Sequence, residues 1–152
     1  MTVTDDHVAA LRAYLSAGSD DEAAEAERLF MLLAEAGTAE GIGELLYAMF
    51  VIAARRRFSP TWTHAEIIRF VAGVRALVSE RPDALDARAA EHQLRAALGE
   101  KQVGYPDEEA RARSQVVLLE ALIQSAELDD AGLNELLAEG RRLADDVPTK
   151  RA

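Results

Sequence analysis

Leu45-Leu46-Tyr47-Ala48-Met49-Phe50-Val51-Ile52-Ala53-Ala54 is the longest apolar run of the chain, and Arg55-Arg56-Arg57 follows it without a break. Upstream and within the run, Ile42, Leu45, Leu46, Met49, Phe50 and Ala53 recur at i, i+3, i+4, i+7, i+8 and i+11. That is one face of an α-helix. Tyr47, Val51 and Ile52 make the other side apolar as well. A helix apolar all round is buried all round, so residues 42–53 are expected to form a central helix. Ser59-Pro60 ends it, because proline disfavours the helical conformation in the residue before it and supplies no backbone N–H.

Working outward, the same logic predicts about seven helices and no strands. Thr4 or Asp5 caps a first helix carrying Val8, Leu11 and Leu15, ending near Gly18. Asp20 and Asp21 open a second, where the helix dipole favours carboxylates. Its stripe is Ala26, Leu29, Phe30 and Leu33, and Gly37 stops it. Thr38 begins the central helix. Thr63 and Glu66 form a capping box for a fourth, with Ile67, Phe70, Val71, Val74, Leu77 and Val78 on one face and Arg81-Pro82-Asp83 at its end. Asp83 caps a fifth, with Leu94 and Leu98 inward and Gly99 at its end. His92, on the side of Leu85, Ala89 and Ala96, is expected to be partly buried and bonded to a backbone carbonyl. Residues 99–106 form the longest non-helical stretch, and Pro106 suits the first turn of a sixth helix with Val116 to Leu119, Leu122 and Ile123. Asp129 or Asp130 caps a seventh, with Leu133, Leu136, Leu137, Gly140, Leu143 and Val147. The tail, 148–152, is expected to fray.

The expected fold class is therefore all-α: one helical domain over residues 1–152, packed round residues 42–53. Length and composition agree. A chain of 152 residues that is 49% hydrophobic can bury one real core. Aromatics make up only 5%, so Leu, Ala, Val and Ile must fill it. Asp21–Leu33 and Asp107–Leu119 match at six of thirteen positions. An old duplication explains this, and so does the recurrence of Ala, Glu and Leu in any such chain.

Charge bounds the function. The formal net charge is −10. Residues 51–81 hold six Arg against two Glu, a local +4 that leaves −14 for the rest. The acidic body argues against nucleic acid and anionic membrane as partners. A helix-turn-helix assignment with residues 64–76 as the recognition helix finds few side chains for base edges. No Cys is present, which removes disulfides and thiolate chemistry. The N-terminus has no signal-peptide pattern, and the apolar run is too short to span a membrane. A cytoplasmic protein is expected.

Catalytic motifs are not found. His7, His64 and His92 carry no Glu-x-x-His or His-x-x-x-His spacing, so no metal site is indicated. No phosphate loop, dinucleotide fingerprint or nucleophile elbow occurs, and no cofactor is implied. The carboxylates fall on solvated helix faces, where they serve solubility and i,i+4 pairing. A non-enzymatic role is the expectation. It would act through the basic, aromatic elbow between the third and fourth helices: Arg55, Arg56, Arg57, Phe58, Trp62 and His64, with Arg75 on the same side of helix four as His64 and Ile68. Arg beside an aromatic is the pairing interfaces favour. The expected partner is a protein, in particular a second copy forming a homodimer. A plainer assignment has the Arg residues paired with Glu of neighbouring helices and Trp62 as an apolar lid. A rival function is a small-molecule binder with a pocket between helices three, four and six, lined by Met49, Phe50 and Phe70.

Overall fold

A computed structural model describes residues 3–38, 40–78, 85–100 and 108–146, with side chains from 113 onward in the last of these. Among the described residues there are seven α-helices and no strand: α1 Asp5–Leu15, α2 Asp20–Glu35, α3 Glu40–Arg57, α4 His64–Leu77, α5 Ala87–Ala97, α6 Glu108–Ser125 and α7 Asp130–Asp146. None is long and apolar enough to cross a membrane. The chain divides into two compact units, Met1–Met49 with Leu128–Ala152, and Phe50–Glu127. Helix α3 runs through the division at Met49 and Phe50 and supplies core residues to each.

Local chemistry sets the helix ends. Ser19 Oγ accepts from Glu22 N at 3.2 Å, and Thr63 Oγ1 accepts from Glu66 N at 3.3 Å, the hydroxyl half of the predicted box. Asp129 Oδ1 accepts from Gly132 N at 2.7 Å ahead of α7. These bonds satisfy N–H groups that a helix start leaves without partners. Gly37 and Gly99, with φ of 76° and 100°, close α2 and α5 in the left-handed conformation glycine adopts without steric cost. The equivalent position after α6 is Glu127, with φ of 52°.

In the first unit α1 packs on α2 and α7. Its core holds Ala10, Leu11, Ala26, Leu33, Leu45, Met49, Leu133, Leu136, Leu137 and Ala144. Two close approaches depend on glycine. A Cβ on Gly41 of α3 would fall 2.3–2.7 Å from three atoms of the His7 ring, and one on Gly140 of α7 would fall 2.6 Å from Met49 Cγ. His7 itself is buried. Its Nδ1 accepts from Thr4 N at 2.9 Å, and its Nε2 donates to the Thr38 carbonyl at 2.7 Å. The donor and acceptor roles select the neutral tautomer carrying its proton on Nε2. A histidine thus completes the capping box of α1 and ties it to the segment between α2 and α3.

In the second unit α5 packs against both α4 and α6. Phe50, Val51, Ala54, Phe58, Ile67, Val71, Val74, Leu85, Leu94, Leu118, Leu119 and Leu122 are buried. Several expectations need correction here. Helix α5 begins at Ala87 with Asp86, whose Oδ1 accepts from Ala89 N at 2.8 Å. The cap expected at Asp83 lies outside the described residues. Helix α4 stops at Leu77: the Val78 N–H is shared between the Val74 and Arg75 carbonyls at 3.2 Å each, which tightens the last turn. Leu77, placed on the apolar face by its spacing, is 73% exposed because it stands at that end. His92 is half-buried, but its Nδ1 is enclosed and, among the described residues, has no hydrogen-bond partner. Helix α3 is not buried all round, since Tyr47 is 41% exposed while Ile42, Leu46 and Ile52 are half-buried. Pro106 and the tail fall outside the described residues.

Candidate functional site

The elbow between α3 and α4 is a mostly exposed turn built on one buried anchor. Phe58 N donates to the Ala54 carbonyl at 3.0 Å, which carries the helical ladder one residue past Arg57. The Phe58 ring is 4% exposed and meets Phe70 of α4 edge to face, with centroids 5.5 Å apart and planes at 82°. This is the favoured arrangement of two quadrupoles. Trp62 N donates to the Ser59 carbonyl at 3.1 Å, closing a β-turn with Pro60 at its second position. Proline fits there because its fixed φ matches that turn geometry. Thr63 then caps α4.

The three arginines fan out to different tasks. Arg55 Nε donates to the Ala97 carbonyl at 3.0 Å. That carbonyl belongs to the last turn of α5, where the intrahelical ladder has ended and the dipole favours a cation. The Arg57 guanidinium lies 5.0 Å from the Phe58 centroid and 5.3 Å from the Phe70 centroid, a cation–π contact with both rings. Arg56 is exposed between them. The pairing of these arginines with neighbouring glutamates is thus not what holds Arg55 and Arg57 among the described residues: one binds a helix end and the other an aromatic pair.

Trp62 is half-buried and stacks on His64, with centroids 5.7 Å apart and planes at 21°. His64 is exposed, and its Nε2 stands 3.8 Å from Glu100 Oε2. Glu100 is held by Arg95 through two parallel hydrogen bonds, Nε to Oε2 at 2.7 Å and NH2 to Oε1 at 2.6 Å. The fork geometry makes this a strong charge-assisted pair. Those bonds keep the Glu100 carboxyl below the ordinary carboxylate range, opposed by partial burial and assisted by the charges of Arg95, His64 and His92. Arg95 is shifted upward by the same bonds.

Of the residues named for the elbow, the structure brings together Arg55, Arg57, Phe58, Trp62 and His64, with Arg56 on the same turn. Arg75 does not join them. It is exposed on α4, eleven residues and about 16 Å along the helix axis from His64. It shares a stripe with His64 and with Ile68, which is 52% exposed. Of the three side chains named for an apolar pocket, Met49 lies beside Gly140 in the first unit, and in the second unit Phe50 is buried and Phe70 packs against Phe58. Glu100, Arg95 and the Ala97 carbonyl were not picked out in advance. Arg95 and Glu100 are five residues apart across the turn at Gly99, a spacing that no straight helix turns into a contact. Among the described residues no group of three or more His, Asp or Glu converges to hold a metal ion.

The described residues define an all-α helical protein with an exposed basic and aromatic elbow. No family model, no curated protein and no solved structure matches the chain.

Proposed function

We propose that this protein is a non-enzymatic interaction module whose elbow, Arg55 to Trp62, docks on the acidic surface of a protein partner. The observation that carries the proposal is the preorganised elbow. Its cations are displayed from a turn fixed by the Phe58–Phe70 pair, the Ser59–Trp62 turn and the Thr63 cap. A binding surface that is already ordered loses little entropy on association. Charge selects the partner class. With +4 on residues 51–81 and −14 elsewhere, an acidic surface is attracted here and repelled by the remainder. Arg and Trp are the side chains most often found to dominate interface energetics.

Trp62 is the only tryptophan, so its emission reports on the elbow directly. Titration with a polyglutamate peptide at low ionic strength is expected to change that emission, and polylysine is expected not to. The response should fade as salt rises past about 0.1 M, where charges are screened within ~10 Å. Arg56→Glu should abolish it with helical content unchanged. No response to the acidic peptide, or the same response in the Arg56→Glu variant, would refute the assignment.

A further inference from the structure

Helix α2 offers the acidic counterpart. Its sixteen residues carry six carboxylates and one arginine, and Arg28 is already bound to Glu25 in the same helix at 2.5 and 3.0 Å. Only Ala26 and Leu33 of the helix are buried. The outer face is not merely charged. Met31, 59% exposed, stands between Glu27 and Glu35, one turn away on either side of the same face. Leu32, 49% exposed, lies one residue further round. Residues four apart on a helix are neighbours, so Glu27, Met31 and Glu35 form a continuous acid–apolar–acid stripe about 12 Å long. Its chemistry complements a surface of arginine and tryptophan: carboxylates for the guanidinium groups, and a polarizable thioether for an indole face.

We infer that the elbow of one copy of this chain docks on the outer face of α2 in a second copy, with Arg56 and Trp62 meeting the Glu27–Met31–Glu35 stripe. This rests on the elbow being a docking surface for acidic protein, and it names the occupant. Such a contact joins two different surfaces. Two copies can satisfy it reciprocally in a closed dimer, or successive copies can extend it. Assembly is salt-dependent in either case, because both surfaces are exposed.

The test uses the full chain and two variants. Charge reversal is placed at Arg56, the exposed middle member of the arginine run, and on α2 in Glu27→Lys/Glu35→Lys. Circular dichroism first establishes that each variant keeps the wild-type helix content and melting temperature. In sedimentation equilibrium at low salt the wild type is expected to self-associate, and each variant alone to weaken association by at least about tenfold. The decisive sample is the equimolar mixture. The α2 variant keeps an intact elbow and the elbow variant keeps an intact α2, so together they rebuild one native contact and should sediment as a two-chain species. A mixture no more associated than its components overturns the inference. So does an α2 variant that assembles like wild type, or a wild type that stays monomeric at low salt. Neither of these last two touches the wider reading of the elbow, which stands or falls on the polyglutamate titration.

Discussion

Gly140→Ala and Gly73→Ala are chemically the same change on two helices, and the structure predicts different results. Both glycines lie inside helices, so alanine gains about 0.8–1.0 kcal/mol of helix propensity at either site. A Cβ on Gly73 meets nothing within 4 Å, and the position is exposed. Gly73→Ala should therefore stabilise by nearly the full amount. A Cβ on Gly140 falls 2.6 Å from Met49 Cγ and 3.4 Å from both Met49 N and Leu45 Cδ1. Carbon atoms rest at about 3.5–4.0 Å, so the Met49 contact is short by about 1 Å. Met49 is fully buried, and its Cγ is too near the backbone to swing clear as the end of the side chain would. Overpacking of this kind costs about 1–3 kcal/mol, which cancels or exceeds the propensity gain. The propensity term drops out of the comparison. The two variants should thus differ by about 1–3 kcal/mol, with Gly140→Ala the less stable. Urea unfolding measures this, provided the slopes agree so that the midpoints can be compared. A third arm isolates the cause: in a Met49→Ala background, itself destabilised, Gly140→Ala should turn neutral or stabilising because the clashing atom is gone. Equal midpoint shifts for Gly73→Ala and Gly140→Ala would show that α3 and α7 do not approach closely at this point, and the packing of the first unit would be wrong.

Two further outcomes follow from the same physics. Glu127 holds a left-handed φ that costs a side-chain-bearing residue about 1 kcal/mol, so Glu127→Gly should raise stability by up to that amount; a lowered melting temperature would mean the side chain contributes more than the strain. The Glu100 carboxyl is depressed below its ordinary value in the folded protein, so it adds stability above the unfolded carboxylate range that disappears as pH falls through the folded value. The urea midpoints of wild type and Glu100→Gln should accordingly be separated at pH 7 and converge as pH falls through and below the ordinary carboxylate range; a gap unchanged between neutral and acid pH would show that the Arg95 pair gives the carboxylate no preference over its neutral form.

The elements that could be read along the chain are those whose cause lies within three or four residues. Thr63 and Asp129 start helices because a side-chain oxygen reaches a backbone N–H three positions on. Gly37 and Gly99 end them because φ is positive there. The apolar period through Ile42, Leu45, Met49 and Phe50 buries a helix whatever packs against it, since area removed from water needs no particular partner. The elbow was legible for the same reason: Arg55, Arg56 and Arg57, then Pro60, Trp62 and Thr63, are consecutive, and their turn and cap are local bonds.

What the fold alone decided is where distant groups meet. Nothing near His7 announces that its Nε2 will find the Thr38 carbonyl thirty-one residues away, or that Gly41 must lack a side chain to admit its ring. Arg55 and Arg57 look alike in the chain, yet one reaches the end of α5, forty-two residues on, and the other lies over Phe58 and Phe70. Leu77 fits the apolar stripe of α4 and is exposed, because the helix ends beneath it. Periodicity specifies which side of a helix is apolar, but not where along its length a neighbour covers it. Hydrogen bonds, cation–π contacts and close approaches fall off within a few ångströms and depend on angle, so they are settled only when the tertiary structure brings the two partners together.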